Sequence, residues 1–132
     1  GNAVAVGVPV YNSNNGAVVV FSRSGTTWAQ QQFITAPSGS VAGMKLGSSV
    51  AIANDGTAVV AGASGHSSNF GAFFYFNYSS GAWVTTNGQF TASGGNASPQ
   101  QGAAIAASAD FQTVALGAPG DSTGSRGAAW AY

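Results

Sequence analysis

An all-β fold made of repeated four-stranded units is what the sequence predicts, and three observations carry that expectation. Residues recur at a fixed spacing of 55. The apolar segments are short, rich in Val, Phe, Tyr and Trp, and bounded by Gly, Ser, Asn and Pro clusters. No segment keeps a polar face at helical spacing, and Gly and β-branched residues interrupt every stretch long enough to be a helix.

The period is read directly from the chain. Val4, Val59 and Val114 keep it, as do Gly7, Gly62 and Gly117. Trp28 and Trp83, Gly47 and Gly102, and Asp55 and Asp110 follow, while Gly16 and Gly71 are answered by Gly127 after a one-residue insertion. A fixed period of this length marks a repeat architecture whose units bury their faces against neighbours.

Within one period the segments 47–53, 57–63, 71–77 and 82–91 read as strands in order. Asn54-Asp55-Gly56 supplies a hairpin turn between the first two, because Asp and Gly tolerate positive φ. Four antiparallel strands per unit is the size of a β-propeller blade. Ala3-Val4-Ala5-Val6, Ala58-Val59-Val60-Ala61 and Val114-Ala115-Leu116 are apolar on both faces, as a sheet packed between two others requires. A β-sandwich or a solenoid of the same hairpins stays open as the alternative.

Composition narrows the function classes. The 132-residue chain is 45% apolar and 5% charged, with 20 Gly, no Cys and a formal net charge of zero. That apolar content is enough for folding, and the charge balance leaves no electrostatic footprint for nucleic acid or anionic lipid. Without Cys there are no disulfides and no thiolate metal sites. A surface so poor in charge favours association unless subunits or glycans cover it. The longest apolar runs, such as 72–76, fall far short of the roughly 18 residues of a spanning helix.

The ordered segments Leu46-Gly47-Ser48-Ser49-Val50-Ala51-Ile52, Val59-Val60-Ala61-Gly62-Ala63-Ser64 and Gly71-Ala72-Phe73-Phe74-Tyr75-Phe76 resemble the FG-GAP repeat, the unit of integrin-α-type propellers. Gly117-Ala118-Pro119 keeps the Gly-Ala-Pro signature, Gly7-Val8-Pro9 softens it, and Leu46-Gly47 and Gln101-Gly102 keep the Gly of Phe-Gly but not the Phe. The resemblance implies that the strand starting at Gly47 is innermost and that of Trp83 outermost. About two and a half blades result: a partial blade of three strands over 1–45, a complete blade over 46–100, and a partial blade of three strands over 101–132. These ten strands cannot close a ring alone, which implies a fragment of a longer chain or a protomer completed by partners.

Calcium-binding members of that family carry an acidic loop between the first two strands of a blade. Here Asn54-Asp55-Gly56 and Ala109-Asp110-Phe111 offer one carboxylate each, too few oxygen ligands, so no calcium or other cofactor is expected and both Asp read as turn residues. Gly120-Asp121-Ser122-Thr123-Gly124 matches a nucleophile-elbow pattern without a following helix, the only His is His66, and the chain has no Glu, so no enzyme is expected. Gly94-Gly95-Asn96 lacks the strand, helix and Lys of a phosphate cradle.

Asn77-Tyr78-Ser79 and Asn96-Ala97-Ser98 satisfy the N-glycosylation pattern, making Asn77 and Asn96 candidate sites. Trp28, Trp83 and Trp130 could stack on sugars, but recurrence of the first two at the repeat spacing points to a packing position in each unit. The resulting expectation is a non-catalytic, secreted or cell-surface module for adhesion or structural assembly, part of a surface filament or coat. Its partners would be other copies of itself or further blades of a longer chain. A carbohydrate-binding propeller using the loops at Tyr11, His66 and Asp121 is the alternative.

Overall fold

The computed structural model describes residues 1–38, 40–93, 98–121 and 126–132, with the Asn87 side chain left aside. The chain is mostly β, in antiparallel sheets. Strands β1 (Ala3–Gly7), β2 (Ala17–Ser24) and β3 (Thr27–Thr35) form the first sheet in that order. β4 (Leu46–Ile52), β5 (Ala58–Ala63), β6 (Ala72–Ser79) and β7 (Ala82–Phe90) form the second, and β8 (Ala104–Ala107), β9 (Val114–Ala118) and β10 (Ala128–Ala131) the third. Every strand pair within a sheet is antiparallel.

Registers repeat between sheets. Val4 stands opposite Phe21 and Ala5 opposite Val20 in the first sheet, as Val59 stands opposite Phe76 and Val60 opposite Tyr75 in the second. Because side chains alternate across a strand, each register assigns a row to one face. Val18, Val20 and Ile34 of the first sheet share a core with Val59, Ala61, Phe74, Phe76 and Trp83 of the second. From the opposite face of the second sheet, Val60 and Phe73 pack with Val114 and Leu116 of the third. β5 is therefore buried on both sides, and each fully buried Val, Leu or Phe contributes about 1.5–3 kcal/mol.

Neighbouring sheets approach through their first strands, β1 lying against β4 and β4 against β8. Glycine makes the approach possible. A methyl group on Gly7 would overlap the carbonyl oxygen of Gly47, and one on Gly62 would overlap that of Gly102.

Three local features differ from the sequence expectation. The β4–β5 connection spans residues 53–57 rather than the expected 54–56, with the Asp55 carboxylate bound to Thr57 and the loop closed by Gly56 N–H to Ala53 C=O at 2.9 Å. Two short helical turns, α1 (Tyr11–Asn14) and α2 (His66–Asn69), occupy the β1–β2 and β5–β6 loops. Their Asn12, Ser13 and Asn14, and Ser67, Ser68 and Asn69, have left-handed φ values, which short polar side chains tolerate better than branched ones. Third, β1 is not covered on both faces: Val4 and Val6 are 41% and 44% exposed, because no sheet lies beyond the first.

Candidate functional site

The loops that carry Tyr11 and His66 are laced to the next sheet by backbone hydrogen bonds, and the loops that carry His66 and Asp121 are tied back to the segment that precedes their own sheet. Lys45 N–H and Leu46 N–H donate to Asn14 and Asn15 C=O at 2.8 and 3.0 Å, and Gln100 and Gln101 N–H donate to Asn69 and Phe70 C=O at 2.9 and 3.0 Å. Gly65 N–H reaches Met44 C=O at 3.1 Å, and Gly120 N–H reaches Pro99 C=O at 3.2 Å. The same bonds thus recur at a spacing of 55 residues, and they tie the three sheets together at one end.

The three candidate ligand residues at these loops do not form one site. Tyr11 is half exposed, its ring edge-on to Phe33 with centroids 4.8 Å apart. It borders an open cleft of about 290 Å³ together with Asn12, Asn15, Thr35, Ser40 and Val41. Asn15 Oδ1 accepts the Gly43 N–H at 2.9 Å, which holds the cleft wall. His66 and Asp121 are instead buried, each 4% exposed. The His66 Nδ1 lies 2.9 Å from Ser67 Oγ, and its ring meets Phe74 edge-on. Burial holds its pKa below the ordinary 6.5, so it is neutral at pH 7. The Asp121 backbone closes its own loop, with N–H to Ala118 C=O at 3.2 Å and C=O to Gly127 N–H at 3.0 Å.

At the opposite end of β5 the two inner turns border a cleft of about 330 Å³ that includes Asp55 and Asp110. Each carboxylate is engaged by its own turn. Asp55 Oδ1 accepts Thr57 N–H at 3.0 Å and Thr57 Oγ1–H at 2.8 Å, while Asp110 Oδ1 accepts Ser108 Oγ–H at 2.6 Å and Gln112 N–H at 3.2 Å. The Thr57 amide and hydroxyl hold the Asp55 carboxyl below the usual carboxylate range, and the Ser108 hydroxyl and Gln112 amide do the same for Asp110. Among the described residues no three His, Asp or Glu side chains gather as a metal-binding group.

Asn77 is exposed near the outer end of β6, accessible for modification. Asn96 lies outside the described residues, as do the rest of the 94–97 loop and residues 122–125 of the elbow-like segment. The tryptophans divide. Trp83 is 4% exposed in the core between the first two sheets, whereas Trp28 is 44% exposed, with the Arg23 guanidinium 5.5 Å from its ring centroid. The shared packing position expected from the period is thus filled at Trp83 alone, since Trp28 has no sheet in front of it.

Sequence reasoning missed two glutamine clamps. Gln101 is fully buried, and its amide accepts the Ala92 N–H at 2.6 Å and donates to Ala92 C=O at 3.0 Å, replacing a strand neighbour. Gln32 does the same for Trp83, through N–H to Oε1 at 2.9 Å and Nε2–H to C=O at 3.3 Å, while Gln31 Oε1 accepts the Trp83 indole N–H at 3.2 Å. The Gln30-Gln31-Gln32 run in an otherwise apolar strand was the available signal for the second clamp.

No helix among the described residues is long and apolar enough to cross a membrane. Neither a protein-family model nor a curated protein sequence matches the chain.

Proposed function

We propose that the chain is a non-catalytic β-propeller segment of the FG-GAP type, serving as an extracellular module for adhesion or structural assembly within a surface filament or coat. One observation carries this reading. The first strands of successive sheets pack side by side through paired glycines, with loops laced at one end, as blades that accumulate around a common inner edge would require. The chemistry-bearing side chains support it too: Asp55 and Asp110 serve their turns, and His66 is buried beside Ser67 and Phe74. Exposed Asn77 would carry a glycan compatible with a secreted coat.

Electron microscopy of native material, combined with intact-mass measurement, tests the proposal. Blades radiating from an axis in a particle heavier than 12.9 kDa are expected. A two-layer sandwich with no radial arrangement would refute it. The cleft at Tyr11 favours a second reading, carbohydrate binding, because an aromatic face beside Asn, Thr and Ser groups with no charged lining suits a neutral polyol. On a glycan array that reading expects binding that is lost in Y11A.

A further inference from the structure

The two outermost sheet faces are unpartnered, and each matches a face that is partnered inside the molecule. On the first sheet, Val4, Val6, Val19, Phe21 and Trp28 share the outward face by register. At the repeat spacing they correspond to Val59, Ala61, Phe74, Phe76 and Trp83, the row by which the second sheet packs on the first. On the third sheet, Ala104, Gly117 and Ala129 form one outward rung and Ala106, Ala115 and Ala131 the next. Ala106, Ala115 and Gly117 correspond to Ala51, Val60 and Gly62, on the face by which the second sheet receives the third.

The five alanines are exposed, and this face forms an open apolar depression of about 250 Å³. Gly117 keeps the glycine that the other two sheets use where the following sheet approaches. The equivalent Gly7 and Gly62 are each covered by a glycine carbonyl of the following sheet, whereas Gly117 meets only Ala104 of its own sheet.

We infer that the third sheet's outer face docks the first sheet's outer face of a second copy of this chain, continuing the internal sheet-on-sheet packing from one molecule to the next. This rests on the assembly reading above and names its partner. Size complementarity supports the choice of occupant: the paired strand positions of the receiving face are Ala and Gly, and the entering face carries Val4, Val6, Phe21 and Trp28, so large side chains meet small ones. Charge does not oppose it. Arg23, the only charged side chain on the entering face, lies beside Trp28 next to the β2–β3 turn, and the receiving face has none. Because the two faces differ, the contact is heterologous, and copies add head to tail into a ring or a filament.

The experiment uses A115E and V6E, which place a charge on exposed positions of the receiving and entering faces respectively. Circular dichroism and thermal melting establish that both fold. Light scattering then follows mass against concentration. The unaltered chain is expected to grow with concentration, each variant alone to stay monomeric, and an equimolar mixture of the two to reach about twofold mass and stop, since only one intact face remains on each partner. A folded, unaltered chain that remains monomeric would overturn the inference while leaving the propeller reading to the native particle. Growth that persists in A115E, as strand-edge pairing would give, also overturns it, and so does a mixture that fails to pair. Growth into a stack without a common axis upholds the docking and refutes the propeller.

Discussion

Replacing Trp83 and Trp28 in turn separates a repeat position that is filled from one that is open. Trp83 is 4% exposed, so W83A removes nearly all of a side chain that buries about 200 Å², worth about 5 kcal/mol at about 25 cal/mol per Å². Large-to-small replacements of core aromatics fall at about 3–5 kcal/mol, which places the loss near 4. Trp28 is 44% exposed, so W28A forfeits about half the area and leaves no enclosed cavity. Including about 0.5–1 kcal/mol for the Arg23 stacking, its loss is about 3 kcal/mol. For a chain of this size, W83A should lower Tm by roughly 10–20 °C and W28A by less. Urea and thermal unfolding followed by circular dichroism, at a concentration where the chain is monomeric, reads both. W83F separates the hydrogen bond to Gln31 from the packing and should cost about 1 kcal/mol beyond its small volume change. Equal losses for W83A and W28A, or a larger one for W28A, would refute the placement of Trp83 between sheets and of Trp28 in the open.

Two further outcomes follow from buried polar groups. Q101A should cost about 2–3 kcal/mol in urea unfolding, because both Ala92 backbone groups lose their partner in a dry site, and Q101L should not restore it although Leu46 holds the equivalent position; full rescue by Leu would contradict the clamp. His66 has a folded pKa below its unfolded value, so the unfolded state binds more protons and stability, constant above roughly pH 6.5, should fall as pH drops below it. Asp55 and Asp110, held low by their turns, titrate below that window, so H66Q should flatten the slope of Tm between pH 7 and 5. A slope unchanged in H66Q would assign the effect elsewhere.

The strands were the legible part of the chain. Residues 57–63 could be read as a strand because Val59, Val60 and Ala61 lie between Gly56 and Gly62 with no helical spacing, and β5 spans Ala58–Ala63. The turn role of Asp55 was legible for a similar reason, since a carboxylate reaching the amide two residues on is a local interaction. The left-handed loops at Asn12–Asn14 and Ser67–Asn69 were not, because residues of those types suit several loop conformations and the bonds to 45–46 and 100–101 select one.

The candidate site was legible as a set of loops but not as a set of side chains. Tyr11, His66 and Asp121 occupy equivalent positions in the sequence, yet Tyr11 borders an open cleft while His66 and Asp121 are buried, because exposure is decided by the neighbouring element rather than by the residue itself. The same holds for Trp28 and Trp83, and for the exposed Val4 beside the fully buried Val59. Strand identity, turn chemistry and the alternation of faces depend on contacts within a few residues, and the sequence by itself determined those. Which face is covered and which glutamine stands in for a strand depend on groups brought together across sheets, and only the tertiary structure decided them.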